Sequence, residues 1–452
     1  MINLKHTCIE IDEKKYSYEE FNNILGNTID FLKRNGFDEN SKIPICCYDS
    51  FKLISLTLAT ISMNACAVLI ESNKKETEII QILESINASK IVTDREQFQC
   101  LEKVIYIPER CKSKTYEECK YPSFKIEDRY RDAVIIFTSG SSGVPKGIIR
   151  TQETVRAHLE TMIETLKIVP DDKVLHLAPL YHAYGFEHIM AGIYGGANNQ
   201  LYNTFDYRTI LSNMKEKATV VVGVPYQYAL FTKIQGKHFP LRLRLLLSAS
   251  APLRASTFEK IRENWGLGIV QLYGSSELSA SLLNLEVKNK NSVGKPIKGV
   301  NIKINEESEL LVKSPYICKS YIGDKYKLPI KNGWYHTGDI ARFDQYQGIV
   351  IEGRIDNIIN VSGKKVCPEE VEAVLTSMPA IKEAYVYGKC HDTYGNIIAA
   401  KVYCAITTEV KEIKKYCSKY LPDYKIPLEI EKVTSIPHTG NGKIKREKEI
   451  FK

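Results

Sequence analysis

The 452-residue sequence contains no Cys-x-x-Cys pair, although it has twelve cysteines, and no signal peptide is expected from its opening residues. Cysteines without paired spacing, two of them adjacent at Cys46-Cys47, read as reduced and mostly buried thiols of a cytoplasmic protein rather than as a disulfide framework. Long apolar runs are equally scarce. Only Leu53 to Ile70 is both apolar and uncharged over a length that raises a membrane question. Ser55, Thr57, Thr60, Ser62 and Asn64 interrupt it, and Asn64-Ala65 marks a break between a buried helix and a short β-rich piece from Ala67 to Ile70. No membrane span is expected. Repeats and low-complexity segments are absent. The charge bias is weak as well: +8 over the whole chain suits phosphate-bearing ligands or an acidic partner, is equally common on solvated surfaces, and predicts no nucleic-acid partner.

What is present is an ordinary soluble composition, 44% hydrophobic and 26% charged, in a chain too long for one compact core. Charged helical stretches such as Tyr18 to Asn35 alternate with short apolar runs at Ile43 to Cys47 and Ile91 to Thr93. The same rhythm continues at Ala133 to Phe137, Lys173 to Leu177, Thr219 to Gly223 and Leu243 to Leu247, each followed by a Gly, Pro or Ser cluster. This predicts an α/β fold whose buried strands feed functional loops. After Gly294 the texture changes to short strands with frequent turns, and near Gly353-Arg354 a charged βαβ-like segment begins.

One loop carries chemistry on its own. TSGSSGVPKG, Thr138 to Gly147, follows the Ala133–Phe137 run. Its glycines bring backbone N–H groups up to an anion, its hydroxyls add donors and Lys146 adds positive charge, so the loop is built for phosphate. It is not a Walker loop, because Lys146 is followed by Gly147. The bland alternative, a Gly/Ser linker, does not normally follow a buried strand or contain a Pro-Lys pair. Glu277, closing QLYGSSE from Gln271, is a hard-cation ligand candidate, since magnesium bridged to phosphates needs one or two carboxylates. His182, in APLYHAYGF from Ala178, is by itself as consistent with core packing as with chemistry. YHTGD, Tyr335 to Asp339, reads in isolation as a turn, and IPHTGNGKIKR, Ile436 to Arg446, as a solvated basic tail.

Taken together and in this order, these segments resemble the adenylate-forming superfamily of acyl-CoA ligases, peptide-synthetase adenylation domains and luciferases. The resemblance implies a large multi-layer N-terminal domain, residues 1–353, a hinge at 354–356 and a small mobile α+β C-terminal domain, residues 357–452. It implies that Thr138, Ser139, Gly140, Ser141, Ser142, Gly143 and Lys146 hold ATP phosphates, that Tyr273 stacks on adenine, and that Ser276, where the family usually has Thr, bonds the α-phosphate. Glu277 is then the magnesium residue, Asp339 the acceptor for the ribose hydroxyls and Arg354 a nucleotide contact. Asp356 resembles the hinge, Gly363 the glycine that leaves room for a pantetheine arm, and Lys443 the catalytic lysine. Pro368-Glu369-Glu370 opens a helix with acids against its dipole.

The implied reaction is ATP-dependent activation of a carboxylic acid to an acyl-AMP, followed by transfer to the phosphopantetheine thiol of coenzyme A or of a carrier protein. His182 resembles the gating residue of the acid pocket and joins Lys443 and Glu277 as a catalytic candidate, and with Tyr184, Ser250, Ala251 and Leu272 it lines the expected pocket. Leu272 stands where many long-chain members carry Gly, and Ser250 replaces a more usual glycine in SASAP, Ser248 to Pro252. Both narrow the space, so a small aryl acid is the first expectation and a short acyl chain or amino acid the second. An acidic carrier would act in trans, because no carrier or condensation domain is read after the lysine loop. A nucleotide-binding regulatory protein without turnover is the alternative from another class; retention of both Lys443 and Glu277 argues against it.

Overall fold

The computed structural model describes residues 3–96, 98, 104–107, 130–138, 146–233, 242–323, 326–361, 364–391, 395–438, 444 and 446. Two large sheets dominate. The first has seven strands in the order Ser320–Tyr321, Lys146–Thr151, Asp132–Thr138, Cys66–Leu69, Lys42–Cys46, Ile91–Thr93 and Val104–Tyr106. The second has nine, and its central run is parallel: Ile269–Ser275, Leu245–Ser248, Val220–Gly223, Lys173–His176, Asn198–Gln200 and Thr7–Ile11. Parallel strands are covered on both faces, and the apolar runs at Val220–Gly223 and Ala133–Phe137 are accordingly buried.

Local chemistry sets the helix starts. Ser17 and Glu20 form a reciprocal capping box at the head of Tyr18–Arg34, and Asp49 accepts from Lys52 N at 2.8 Å to open Ser50–Ser62. The uncharged stretch resolves as the sequence predicts. The helix Ser50–Ser62 ends, Asn64 takes φ +63, and Cys66–Leu69 continues as a strand. At 13 residues this helix is about 20 Å long, short of a bilayer core. Among the described residues no helix is long and apolar enough to cross a membrane. Adjacent Cys46 and Cys47 face different cores, and all nine cysteines among the described residues are free.

A smaller sheet pairs Asn301–Ile304, Glu309–Lys313, Trp334–Phe343, Ile330–Lys331 and Ile349–Arg354. Beyond it the chain forms the hairpin Ile359–Val361 and Lys364–Val366, the helix Pro368–Ser377, and a sheet of Ile381–His391, Gly395–Cys404 and Glu429–Val433. The last two strands are parallel with the helix Val410–Cys417 between them, which is the βαβ unit the sequence texture suggests. These elements bury their own core, from Ile359 to Leu421, apart from the core shared by the two large sheets.

Candidate active site

Among the described residues, His182, Ser250 and Glu277 follow the ends of parallel strands of the nine-stranded sheet. In open parallel sheets the loops beyond the carboxyl ends of strands form the ligand crevice. Here those loops carry Ala178–His182, Val224, Ala249–Pro252 and the turn after Ser275.

On one wall, Trp334–Phe343 and Ile349–Arg354 pair so that Asp339 lies directly across from Arg354. Arg354 Nη1 donates to Asp339 Oδ1 at 3.0 Å and to the Thr337 carbonyl at 2.7 Å. The Tyr273 hydroxyl donates to the other oxygen, Asp339 Oδ2, at 2.5 Å. Burial, and then the Asp339 charge, push the Tyr273 phenol well above its ordinary value, so it remains a donor. Thr337-Gly338-Asp339 is therefore not an isolated turn but the middle of a strand. Gly338, at φ +70, permits the local kink, and a side chain there would press on Arg354. The Tyr273 hydroxyl's role on Asp339 was not foreseen beside the adenine-stacking expectation for its ring.

The expected phosphate loop joins the strands of the hairpin Asp132–Thr138 and Lys146–Thr151, in which Thr138 pairs with Lys146. Ser139, Gly140, Ser141, Ser142 and Gly143 lie outside the described residues. The segment Cys318–Ile322 laces this hairpin to the Glu277 turn. Cys318 N donates to the Glu277 carbonyl at 2.7 Å, Lys319 N to Ile149 O at 2.9 Å and Ile322 N to Gly147 O at 2.7 Å. Tyr321 within it donates to Glu277 Oε1 at 3.0 Å. The Lys146 ammonium stands 5.9 Å from the Tyr321 ring centre and 4.4 Å from that of Tyr326. Sequence reasoning missed both tyrosines, since nothing local to a Ser-Tyr pair between turns signals a contact across 44 residues.

The donor set at Glu277 fits magnesium. Among the described residues no three His, Cys, Asp or Glu side chains gather as a metal cage, and Mg²⁺ does not require one, because it keeps waters and takes one or two carboxylates plus substrate phosphates. Ser276 and Glu277 are half-buried at the hairpin tip, beside the exposed Gly274 and Ser275.

Of the expected acid-pocket residues, His182, Ser250 and Ala251 follow the ends of parallel strands, Tyr184 lies in the helix Ala183–Tyr194 and Leu272 within the strand Ile269–Ser275. His182 caps the helix Ala183–Tyr194 by position, half-buried, its ring centre 4.6 Å from that of Tyr181. Gly185 sits so close to the Pro179 carbonyl that a Cβ would collide with it. The buried Tyr184 hydroxyl, His188 Nε2 and Ser248 Oγ have no hydrogen-bond partner among the described residues. Ser250 adopts φ +75, a left-handed conformation that explains why glycine is the easier residue there, and Ala251 follows it half-buried. Leu272 is 6% exposed and lies across from Leu283. Because side chains alternate along a strand, Leu272 and Tyr273 face opposite sides of the sheet.

Behind the site runs a buried charged network that sequence reading did not anticipate. Arg150, fully buried, donates through Nη1 to Glu187 Oε1, and His158 Nδ1 lies 3.6 Å from Glu187 Oε2. His158 Nε2 contacts the Ala280 carbonyl at 3.1 Å. One cluster thus joins the phosphate hairpin, the helices Gln152–Leu166 and Ala183–Tyr194, and the strand Ser279–Leu283 after Glu277.

Lys443 and Gly363 lie outside the described residues. The chain on either side of the lysine loop is held: His438 and Ile444 form an antiparallel bridge, and Arg446 Nη2 donates to Glu372 Oε2 at 2.8 Å. Asp356, 77% exposed in the short turn Ile355–Asn357, touches Arg354 at 3.4 Å. Across this turn, the Cys367 thiol contacts the Glu352 carbonyl at 2.9 Å and Arg254 Nη1 donates to the Lys382 carbonyl at 2.6 Å.

Comparison with known proteins gives the family and the fold of the chain. A family model described as AMP-binding enzyme matches residues 3–322, and one described as AMP-binding enzyme C-terminal domain matches residues 370–443. A 2-succinylbenzoate–CoA ligase of Bacillus cereus is 26% identical, over 97% of this chain and 94% of that protein. ATP-bound MatB from Rhodopseudomonas palustris superposes with a TM-score of 0.89 at 22% identity, over 98% of this chain and 94% of that one. The anthranilate CoA ligase AuaEII, in complex with anthranoyl-AMP, does so with a TM-score of 0.86 at 23% identity, over 98% and 93%.

Proposed function

This chain belongs to the family of AMP-binding enzymes, and from that premise we propose that it joins a small aryl acid to AMP at the expense of ATP and passes the acyl group to coenzyme A. The observation that carries the reading is that one hairpin, Ile269–Ser275 with Ser279–Leu283, joins the Tyr273–Asp339–Arg354 group to the Lys146–Tyr321–Glu277 group. The first offers a carboxylate suited to paired ribose hydroxyls, and the second a phosphate-holding cation beside a magnesium carboxylate.

A carboxylate is a poor electrophile, and attack on the α-phosphorus of ATP with loss of pyrophosphate converts it to a mixed anhydride that a thiol can open. Charge handling is the main task. Lys443 meets the acid's carboxylate as it approaches an anionic phosphate, while the Thr138–Gly147 loop holds the departing β- and γ-phosphates. Magnesium, held by Glu277, supplies positive charge to the phosphate oxygens when bound. Ser276 bonds the α-phosphate, and Arg354 orients Asp339. Residues 1–353 form the adenylating domain and 357–452 the lid. Rotation about Asp356 withdraws the lysine loop and brings Gly363 to the same crevice for thioester formation.

The acid's class is supported by the names of two similar proteins, which act on 2-succinylbenzoate and anthranilate. Both are benzoates with a substituent beside the carboxyl group. Those names also support coenzyme A as acceptor and give an acidic carrier protein no support. An acid-dependent ATP–pyrophosphate exchange screen over aryl, short-chain and amino acids tests the first half-reaction, and thioester formation with coenzyme A the second. Exchange with none of the acids would favour a nucleotide-binding protein without turnover.

A further inference from the structure

We propose that Tyr321 is a positioning residue that aims the Glu277 carboxylate at the magnesium–ATP complex and couples it to Lys146. This rests on the reading of the site as an ATP site and adds a residue to it.

Glu277 projects from a hairpin tip between Ser275 and Ser279. A carboxylate in that setting has two equivalent oxygens and free rotation of its arm. The Tyr321 hydroxyl, donating to Oε1 at 3.0 Å, removes that freedom and leaves Oε2 available to a hard cation. Outer partners of metal-binding carboxylates act in this way, and their loss costs about 10- to 100-fold in metal affinity or activity. Tyr321 is itself held on two sides. Its strand pairs with Ile148 and Ile149 of the phosphate hairpin, and the preceding Cys318 N–H is fixed to the Glu277 carbonyl. Only 9% of the residue is exposed, and Tyr335 stands against its hydroxyl. Its ring, with that of Tyr326, faces the Lys146 ammonium. A cation over an aromatic face is attracted by the ring quadrupole, so the same side chain that orients the carboxylate also restrains the lysine at the base of the phosphate loop. The two charges that must meet the triphosphate are therefore spaced by one rigid residue.

The test is calorimetric titration of a non-hydrolysable ATP analogue into the full chain, with and without Mg²⁺, for wild type and Tyr321→Phe. Phenylalanine keeps the ring over Lys146 and removes one oxygen. The expected result is metal-free affinity close to wild type, with the gain from Mg²⁺ reduced about tenfold or more. In pyrophosphate exchange the Mg²⁺ activation constant rises more than the KM for the acid. Glu277→Asp gives a second reading independent of how Tyr321→Phe folds: the shorter arm cannot reach both partners, so it too loses the Mg²⁺ gain. An undiminished gain in either variant overturns the proposal. Absence of nucleotide binding by the wild type would instead overturn the ATP-site reading on which it rests.

Discussion

Tyr273 and Asp339 are joined by a 2.5 Å hydrogen bond from the phenol to Oδ2, while Arg354 holds the opposite oxygen at 3.0 Å. A carboxylate has about four acceptor positions, so both oxygens can still take a ribose hydroxyl while their orientation is set from either side. Hydrogen bonds to a charged acceptor contribute about 1.5–3 kcal/mol each. Asp339→Asn is therefore expected to weaken AMP binding by one to two decades, on the order of 1.4 kcal/mol each. Tyr273→Phe is expected to weaken it less, because Arg354 still positions the carboxylate. Isothermal titration with AMP measures both, and wild-type affinity in Asp339→Asn would remove Asp339 from the site.

The buried pair Arg150–Glu187 is expected to matter more when broken than when replaced. Taking one charge away leaves the other in the interior without compensation, which costs about 3–5 kcal/mol, whereas well-packed apolar substitutes for both are often near neutral. Glu187→Gln and Arg150→Met should each lower urea stability by several kcal/mol. The double variant Arg150→Met with Glu187→Leu should recover most of it. Additive losses in the double variant would contradict a coupled pair.

Acid sensitivity follows from the buried histidines. Burial pushes His176 down to about 3 and His188 down to about 4, and lowers His158 as well, against an ordinary value of 6.5. Between pH 6.5 and about 4 the unfolded chain binds protons that the folded one does not, so stability falls as pH drops through that window. Glu372 acts with the opposite sign. Burial pushes it up to about 7 despite Arg446 at 2.8 Å, so its contribution is full below 4.5 and is lost as pH rises through about 7. Each unbalanced proton is worth about 1.4 kcal/mol per pH unit. Denaturant unfolding at pH 7.5 and 5.0 should show the core of the large sheets weakening in acid, and Glu372→Gln should remove the opposing term from the C-terminal core. A flat profile for the large core would contradict the neutral histidines.

The strands and helices are largely legible in the sequence because their signals are local. The break at Asn64-Ala65, the helix at Pro368 and the buried runs feeding Ala178 and Ser248 each depend on a few neighbouring residues. The candidate site residues rest on motifs that keep their meaning in isolation only in part: Glu277 reads as a cation ligand by its own chemistry, whereas Asp339 and Arg354 are candidates through resemblance alone. What was not legible is the set of contacts between segments remote in sequence. Tyr321 reaches Glu277 across 44 residues, Arg446 reaches Glu372 across 74, and Arg150 reaches Glu187 across 37. Tyr, Arg and Glu are common on surfaces, and nothing in their immediate neighbours distinguishes a long-range partner from a solvated side chain.

Lys443 is expected to divide the two half-reactions. If its charge bridges the acid and the nucleotide in the adenylation transition state, Lys443→Ala should cut pyrophosphate exchange by orders of magnitude with little change in ATP affinity. Thioester formation from supplied acyl-adenylate should be spared. Arg446→Ala, which releases the chain just beyond the loop from Glu372, should produce a milder version of the same split. Equal losses in both halves would contradict the assigned role of Lys443.

The last expectation concerns the acid. Leu272 and Tyr273 point to opposite faces of the same strand, so the residue that orients Asp339 and the residue proposed to wall the acid pocket are separated by the backbone itself. Replacing Leu272 should therefore alter acid preference without disturbing nucleotide contacts. A leucine side chain there fills volume that glycine would leave open, and forcing a longer acid against it costs on the order of 1–3 kcal/mol. Leu272→Gly should shift the ratio of kcat/KM for a medium-chain fatty acid over a small aryl acid by roughly tenfold or more, since about 1.4 kcal/mol is a decade in rate. The KM for ATP should stay near its original value. Leu272 also sits in the core opposite Leu283, so a folded fraction measured by thermal denaturation must accompany the kinetics. An unchanged ratio in folded Leu272→Gly, or a wild type that already prefers the fatty acid, would exclude Leu272 as the determinant of pocket length and leave acyl-adenylate formation as the part of the proposal still standing.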